Sequence, residues 1–496
     1  MSTLSVTRSN VSRFDKKTLI GFVTAVGLGV LVAAYPFVGF AGMGTCLILY
    51  GILRWTEGRL ELWQVLALSA LTPYIILNYG FDNFSVGAGG FHFPVGELLM
   101  FSALALLMLG SQTSTMSVLW RDPLVICLFA LLLLSIAHLT IDVPRYGFYA
   151  IRDSSLFFES VFLLVGVAWT KNVRQTGLLF RWMFVVLLIN LVYTYTFPWN
   201  ESIQAWSPQS GVFHPVPLFG NYEQNGVFLV AGVPFCMWLA PLFVRWPCWI
   251  FLGLATAQLG GLVLLQLRSM YVGIVLVLVL LFLLRETKRL ISVTKALVWS
   301  VGGVLALLLL VSTLGIKLQG RMGPVDLSFI EEHAGTVLDL GDSNARMSHD
   351  VDRTEWYGEV WDRIRSSPSN MIVGEGFGQA LIDFVNEQGI PVRQPHNTSL
   401  TVLARLGFLG LSIWVLFLVL LAARYVQFLR AHSASAEASS LVLWLLMYSV
   451  LAFLFTSVQP EFEFSHGAIP FFFLQGVAIG FMRIARGRFD VRPLAA

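Results

Sequence analysis

One imidazole and a few guanidinium groups are the residues of this chain best suited to chemistry. His396 stands in Pro395-His396-Asn397-Thr398-Ser399, at the mouth of a strongly apolar stretch. An ordinary pKa near 6.5 makes His the side chain best placed to take a proton near neutrality. The unpaired N–H groups and positive end of a helix disfavour imidazolium, so a neutral imidazole there suits a general base. Asn397 or Thr398 is the expected N-cap. Arg346 and Arg353 lie in the long polar segment upstream, and Arg268 sits in Gln266-Leu267-Arg268-Ser269 at the end of another apolar stretch. An arginine so close to an apolar run needs a partner or a ligand. Several on one face make an anion site suited to bidentate phosphate contacts. A base beside such clamps points to acid–base chemistry on a phosphate-bearing substrate. Taken singly, His396 also fits a capping or interfacial role, and each arginine a local salt bridge.

Other polar residues are less directive. Arg405 lies seven residues into the apolar stretch that begins at 398. A charge at that depth costs at least about 2.5–3.5 kcal/mol unless satisfied. Glu97, Glu159, Glu461, Glu463 or a lipid phosphate are its expected partners. Gly407 and Gly410 share a helix face and are read as allowing close helix approach. Asn225 closes Phe219-Gly220-Asn221-Tyr222-Glu223-Gln224-Asn225, whose amides suit sugar hydroxyls or a polar helix start. His138 falls inside an apolar span and is expected to make an internal hydrogen bond. No HExxH, CxxC or Walker pattern is present, so neither a metal nor a nucleotide cofactor is expected.

The elements that must position these residues are membrane helices. The chain has 496 residues, 56% hydrophobic and only 12% charged, where soluble domains carry about 25% charge. A mean hydropathy of +0.74 and repeated apolar runs indicate an all-α polytopic membrane protein. The four cysteines fall in or beside apolar segments and read as packing residues. No basic tract or zinc spacing supports nucleic-acid binding. About fourteen spans are expected, near 18–35, 38–54, 62–80, 94–111, 123–142, 154–170, 176–197, 225–244, 247–266, 269–284, 294–315, 398–423, 440–458 and 467–483. Alternating the loops collects most Lys and Arg on one side, which predicts cytoplasmic N- and C-termini. Trp55, Trp63, Trp120, Trp169, Trp246 and Trp249 are expected as interfacial anchors.

The opposite side carries the one sizeable loop. The expected organisation is a transmembrane bundle over 1–315, an external loop over 316–397, and C-terminal transmembrane helices with a cytoplasmic tail over 398–496. Trp356, Val360 and Ile364 at four-residue spacing predict an amphipathic helix over 353–365, ending before Pro368. Gly374-Glu375-Gly376-Phe377-Gly378 reads as a connector, and 379–387 as a second short helix.

With these motifs in place, the sequence resembles the O-antigen ligase and O-antigen polymerase superfamily of bacterial membrane glycosyltransferases. The ligase signature is His, then Asn, Ser or Gln, nine residues, Gly, two residues, then Gly, Thr or Tyr; His396, Asn397, Gly407 and Gly410 fit it. Arg353, Trp356, Pro368, Gly374 and Gly376 follow a second family progression, with Arg346 as the alternative arginine. Arg268 and Asn225 match by position. The resemblance covers about 215–425. It implies a GT-C-like helical fold in the bacterial inner membrane, with the active site on its periplasmic face. It implies metal-independent, inverting transfer of a glycan from undecaprenyl diphosphate to lipid A-core by a ligase, or to another carrier-linked glycan by a polymerase. It implies His396 as catalytic base and Arg268 and Arg353 as clamps on the donor diphosphate; Arg346, Asn397, Asn225 and Arg405 are expected beside them as substrate-binding residues. The rival outside the family is a glycolipid transporter or flippase.

Overall fold

The computed structural model describes residues 60–88, 91–110, 121–171, 173–211, 215–221, 225–313, 319–321, 323–325, 353–385, 391–431 and 436–487. The chain divides into residues 1–65 and 66–496; of the first unit only 60–65 are described, as the start of helix α1 (Leu62–Ile76). Further along come α2 (Val95–Leu109), α3 (Pro123–Tyr146), α4 (Phe148–Asp153), α5 (Ser155–Trp169), α6 (Val173–Thr194) and α7 (Asn200–Trp206). They are followed by α8 (Asn225–Phe243), α9 (Cys248–Leu265), α10 (Arg268–Leu283) and α11 (Thr287–Thr313). The polar segment holds α12 (Arg353–Arg365) and α13 (Pro368–Val373), and the chain continues through α14 (Thr398–Ala431), α15 (Ala436–Thr456) and α16 (Ser465–Gly487).

Eight described helices are long and apolar enough to cross a membrane, namely α3, α6, α8, α9, α11, α14, α15 and α16. The apolar helices α1, α2, α5 and α10 are shorter. Eight of the expected spans fall on the long helices and four on the shorter ones; those at 18–35 and 38–54 lie outside the described residues. This is an all-α, multi-pass architecture. The α15 and α16 helices are almost wholly enclosed by protein, whereas α11 is largely exposed along its length. A helix apolar all round and buried is central to a bundle; one apolar and exposed faces lipid. Arg424, near the far end of α14, holds Asp122 at the N-terminus of α3 in a bidentate pair at 2.6 and 2.9 Å, which clamps those two helices side by side.

Two expectations about tryptophan and the loop need correction. Trp169 is fully buried and donates to the Gln175 carbonyl at 3.0 Å, so it is a core residue and no interfacial anchor. Trp246 and Trp249 are exposed as expected, while Trp63 is buried; Trp55 and Trp120 lie outside the described residues. The second loop helix is α13, at 368–373; residues 379–383 are irregular and lead into a two-residue strand. Pro368 starts that helix instead of only stopping the previous one. A proline at a first helical position loses no hydrogen bond, and the Ser367 hydroxyl accepts from the Asn370 N–H at 3.1 Å as its N-cap.

The α12 helix forms where its period predicted. Its buried stripe of Trp356, Val360 and Ile364 packs on Leu381 and Ile382 of the loop and on Leu403 and Ala404 of α14. A 13-residue helix of low apolar content is marginal alone and is held by this face.

Candidate active site at the head of α14

Asn397 is the N-cap of α14. Its side-chain oxygen accepts from the Leu400 N–H at 3.1 Å, and its amide donates to the Ser457 carbonyl at 3.5 Å, just past the end of α15. His396 precedes it with φ of +54°, a left-handed conformation uncommon for non-glycine residues. That turn carries the imidazole against the edge of Trp356, with ring centroids 5.3 Å apart. Arg353 lies three residues before Trp356, on the same face of α12. Burial, and then the Arg353 guanidinium, press the His396 imidazole down to about 4. The ring is therefore neutral at physiological pH, half-buried, and next to a fixed positive charge.

The loop is locked to α14 by a break in that helix. Gly407 adopts φ +64° and ψ −168°, which interrupts the α-helical ladder. The Ala404 and Arg405 carbonyls are thereby available to other donors, and they accept from Glu375 N–H at 2.9 Å and Gly376 N–H at 3.2 Å. Approach is so close that a Cβ on Gly374 would lie 2.2 Å from the Arg405 oxygen, and one on Gly407 would lie 2.4 Å from the Ile372 carbonyl. The two glycine motifs are thus halves of one backbone junction. Gly407 does not serve the helix-face packing expected of it; it ends the short segment that carries His396. Residues 401–407 are all buried, while Phe408, Leu409, Val415, Leu416 and Val419 beyond the break are exposed.

This break also explains Arg405. The residue does not enter the lipid-facing part of α14, and its direct ion pair is with none of Glu97, Glu159, Glu461 or Glu463, although its charge acts on Glu463. Its guanidinium is 1% exposed and reaches Asp153 of α4 at 2.9 Å, the Gly376 carbonyl at 3.0 Å and the Gln379 carbonyl at 2.7 Å. Arg393 shares the same Asp153 oxygen at 3.1 Å. Asp142 of α3 accepts from the Phe377 N–H at 2.8 Å, and His138 meets the Val373 carbonyl at 2.8 Å. So the connector 373–379 is fastened to α3, α4 and α14 by buried polar contacts. These contacts make Arg405 a buried tie between α4, the connector and α14. His138 is internally hydrogen-bonded as expected, with the loop as its partner.

Arg268 opens α10, two residues after the left-handed Gln266 and directly after the extended Leu267. The beginning of α10 packs on the beginning of α8, since a Cβ on Gly226 would lie 2.5 Å from Leu267. Phe228 stacks on Tyr448, and Trp444 donates to the Ala231 carbonyl at 2.8 Å, so α8 and α15 run antiparallel. Gly273 faces Leu451 and Leu454. Arg268 lies five residues nearer the loop face, about 7.5 Å along the axis at ~1.5 Å per residue. It is thus level with the end of α15, the end that Asn397 contacts through Ser457. Arg268 and His396 approach the same helix end from the two helices that flank it.

Asn225 behaves otherwise. It is fully buried, its amide donates to Asn221 at 3.1 Å, and its oxygen accepts from Asn78. These contacts bind α8 to neighbouring turns and leave the side chain enclosed. Arg346 lies outside the described residues. Asp142, Asp153 and Trp356 are the positioning residues underrated by sequence reasoning; the two acids interrupt apolar stretches, which is itself a functional signal.

A family model described as O-antigen ligase matches residues 252–415. Comparison with curated proteins returns no match. The matched stretch runs from α9 to just past the α14 break and contains Arg268, Arg353, His396 and both glycine motifs; Asn225 falls before it. Residues 252–415 thus match an O-antigen ligase domain, which supports a place for this chain in the O-antigen ligase and polymerase superfamily.

Proposed function

We propose that the protein transfers a glycan from an undecaprenyl-diphosphate carrier to an acceptor hydroxyl on the periplasmic face of the inner membrane, acting as an O-antigen ligase on lipid A-core. The observation that carries this reading is a neutral, half-buried His396 beside Arg353 at the head of a membrane helix. His396 takes the proton of the acceptor hydroxyl. The hydroxyl oxygen bonds to the anomeric carbon as the bond from that carbon to the diphosphate oxygen breaks, and the electron pair leaves on the diphosphate. A single displacement inverts the anomeric centre. General-base help is worth roughly 10²–10⁴ in rate. Arg353 and Arg268 hold the diphosphate and offset the charge that grows on it. No metal ion is assigned a step.

The loop spanning 316–397 lies on the periplasmic side in this reading, between the transmembrane parts 1–315 and 398–496, with both termini cytoplasmic. The uneven distribution of Lys and Arg between loops supports that orientation. A polymerase would use the same base and clamps but a second carrier-linked repeat as acceptor.

The test supplies purified protein with carrier-linked glycan extracted from its host, and either lipid A-core or a second carrier-linked repeat. Product size on a gel separates ligation from polymerisation. His396→Ala is expected to abolish both while keeping the thermal unfolding midpoint. Transfer at the unaltered rate by that variant refutes the reading.

A further inference from the structure

Taking a proton from the acceptor leaves an imidazolium at a place that rejects one. His396 is half-buried beside Arg353, and both features disfavour its charged form. A base so placed turns over only if the proton moves on.

Directly after His396, Thr398 and Thr401 open α14 on successive turns, and the Glu461–Glu463 turn between α15 and α16 lies against them. Glu463, Thr398 and Thr401 are at most 5% exposed. Both Glu463 carboxyl oxygens and both threonine hydroxyls lack a closed hydrogen bond, although the hydroxyls lie near enough to favour the charged carboxylate. The two hydroxyls thus sit at the edge of hydrogen-bonding reach of the Glu463 carboxylate, in a site closed to bulk solvent. Small mobile hydrogen-bonding groups such as water satisfy such sites, given two to four polar partners. The same connection is tied to the residue after His396 by the Asn397–Ser457 contact at 3.5 Å.

We propose that Glu463, with Thr398 and Thr401, receives the proton that His396 removes from the acceptor hydroxyl. This rests on His396 being the base. The proton leaves the imidazolium nitrogen, crosses a hydrogen-bonded path over the threonine hydroxyls, and forms the Glu463 carboxylic acid; His396 returns to its neutral form. The acid later gives the proton to the solution on the loop side. No electrons are exchanged. Glu463 acts through His396 and does not touch the sugar. The electrostatic setting of Glu463 suits a proton acceptor. Burial pushes its carboxyl up to about 7, with Asp153 adding to this and Thr401, Arg405 and Thr398 opposing it.

The experiment uses full-length protein and host-extracted carrier-linked glycan with lipid A-core. Glu463→Gln is expected to lower kcat by about tenfold or more, the scale of lost proton-transfer help, with donor KM unchanged. It also removes the rise of kcat through neutral pH, and free imidazole buffer restores the rate by taking the proton directly. Glu463→Asp keeps most of the activity. Unaltered kcat in Glu463→Gln at every pH overturns the proposal, and so does a slow, folded variant that imidazole does not restore. If Glu463→Gln fails to fold, Thr401→Val carries the test: a lowered, imidazole-restored kcat supports the relay and an unaltered kcat refutes it. An inactive His396→Ala with an unimpaired Glu463→Gln sinks the relay alone; an active His396→Ala sinks the base assignment itself.

Discussion

Replacing Arg353 by Gln is expected to make His396 easier to protonate while making the donor harder to use. The imidazole stands near 4 where 6.5 is ordinary. That difference of roughly 2.5 pH units corresponds to about 3 kcal/mol against the charged form, an upper bound because solvent reaches part of the ring. Burial is the larger cause and Arg353 the smaller, so removing the guanidinium should raise the imidazole by at most about one pH unit. Stability depends on pH in the same direction. As pH falls below about 6.5 the unfolded chain takes up this proton before the folded one does. The stabilisation is complete above that pH and is lost on the way down to about 4. Carbethoxylation by diethylpyrocarbonate consumes only neutral imidazole. Its rate at His396, followed by peptide mass spectrometry against pH, should be half-maximal near pH 4 in the unaltered protein and up to about one unit higher in Arg353→Gln. Inorganic diphosphate, standing in for the donor, should raise the midpoint in the unaltered protein and have less effect in the variant. A midpoint near 6.5 in the unaltered protein, or the same midpoint in both, refutes the pairing of base and clamp. The pairing has a consequence for order of binding: the diphosphate that neutralises Arg353 makes His396 a stronger base only once a donor is present.

Gly407→Ala should destabilise the fold, because the left-handed backbone costs a non-glycine residue about 1–3 kcal/mol and its new methyl would also meet the Ile372 carbonyl; an unaltered thermal midpoint would refute the junction. Arg405→Ala should cost up to about 3–5 kcal/mol, since it removes the fully buried partner of Asp153 and leaves only Arg393 to offset that charge. Arg405→Lys should not restore that stability, since one ammonium cannot reproduce a fork that reaches three acceptors. Denaturant titration reads both, and a folded Arg405→Lys with a large rise in donor KM would return this arginine to the phosphate site.

The chain by itself determined the class of protein and the chemistry-bearing residues. Apolar runs long enough to cross a bilayer cannot be other than helices in lipid, because every backbone polar group must be satisfied within the segment. The four-residue stripe Trp356, Val360 and Ile364 announced α12 for the same local reason, and Asn397 capped its helix because only nearby donors are involved. What the tertiary structure decided were contacts between residues far apart in sequence. Gly407 reads as a packing glycine until its left-handed φ is seen, and only then do the Ala404 and Arg405 carbonyls turn to Glu375 and Gly376. Arg405 was expected to pair with one of four glutamates because its depth was counted along an unbroken helix; the break and the loop beneath it bring up Asp153 as the direct partner, with Glu463 acted on only at longer range. Asn225 looked available for sugars because nothing local shows Asn78 and Asn221 closing over it. Periodicity and capping are short-range and legible in one dimension, whereas the partner of a buried charge is chosen by whichever distant backbone can approach closely enough to replace water.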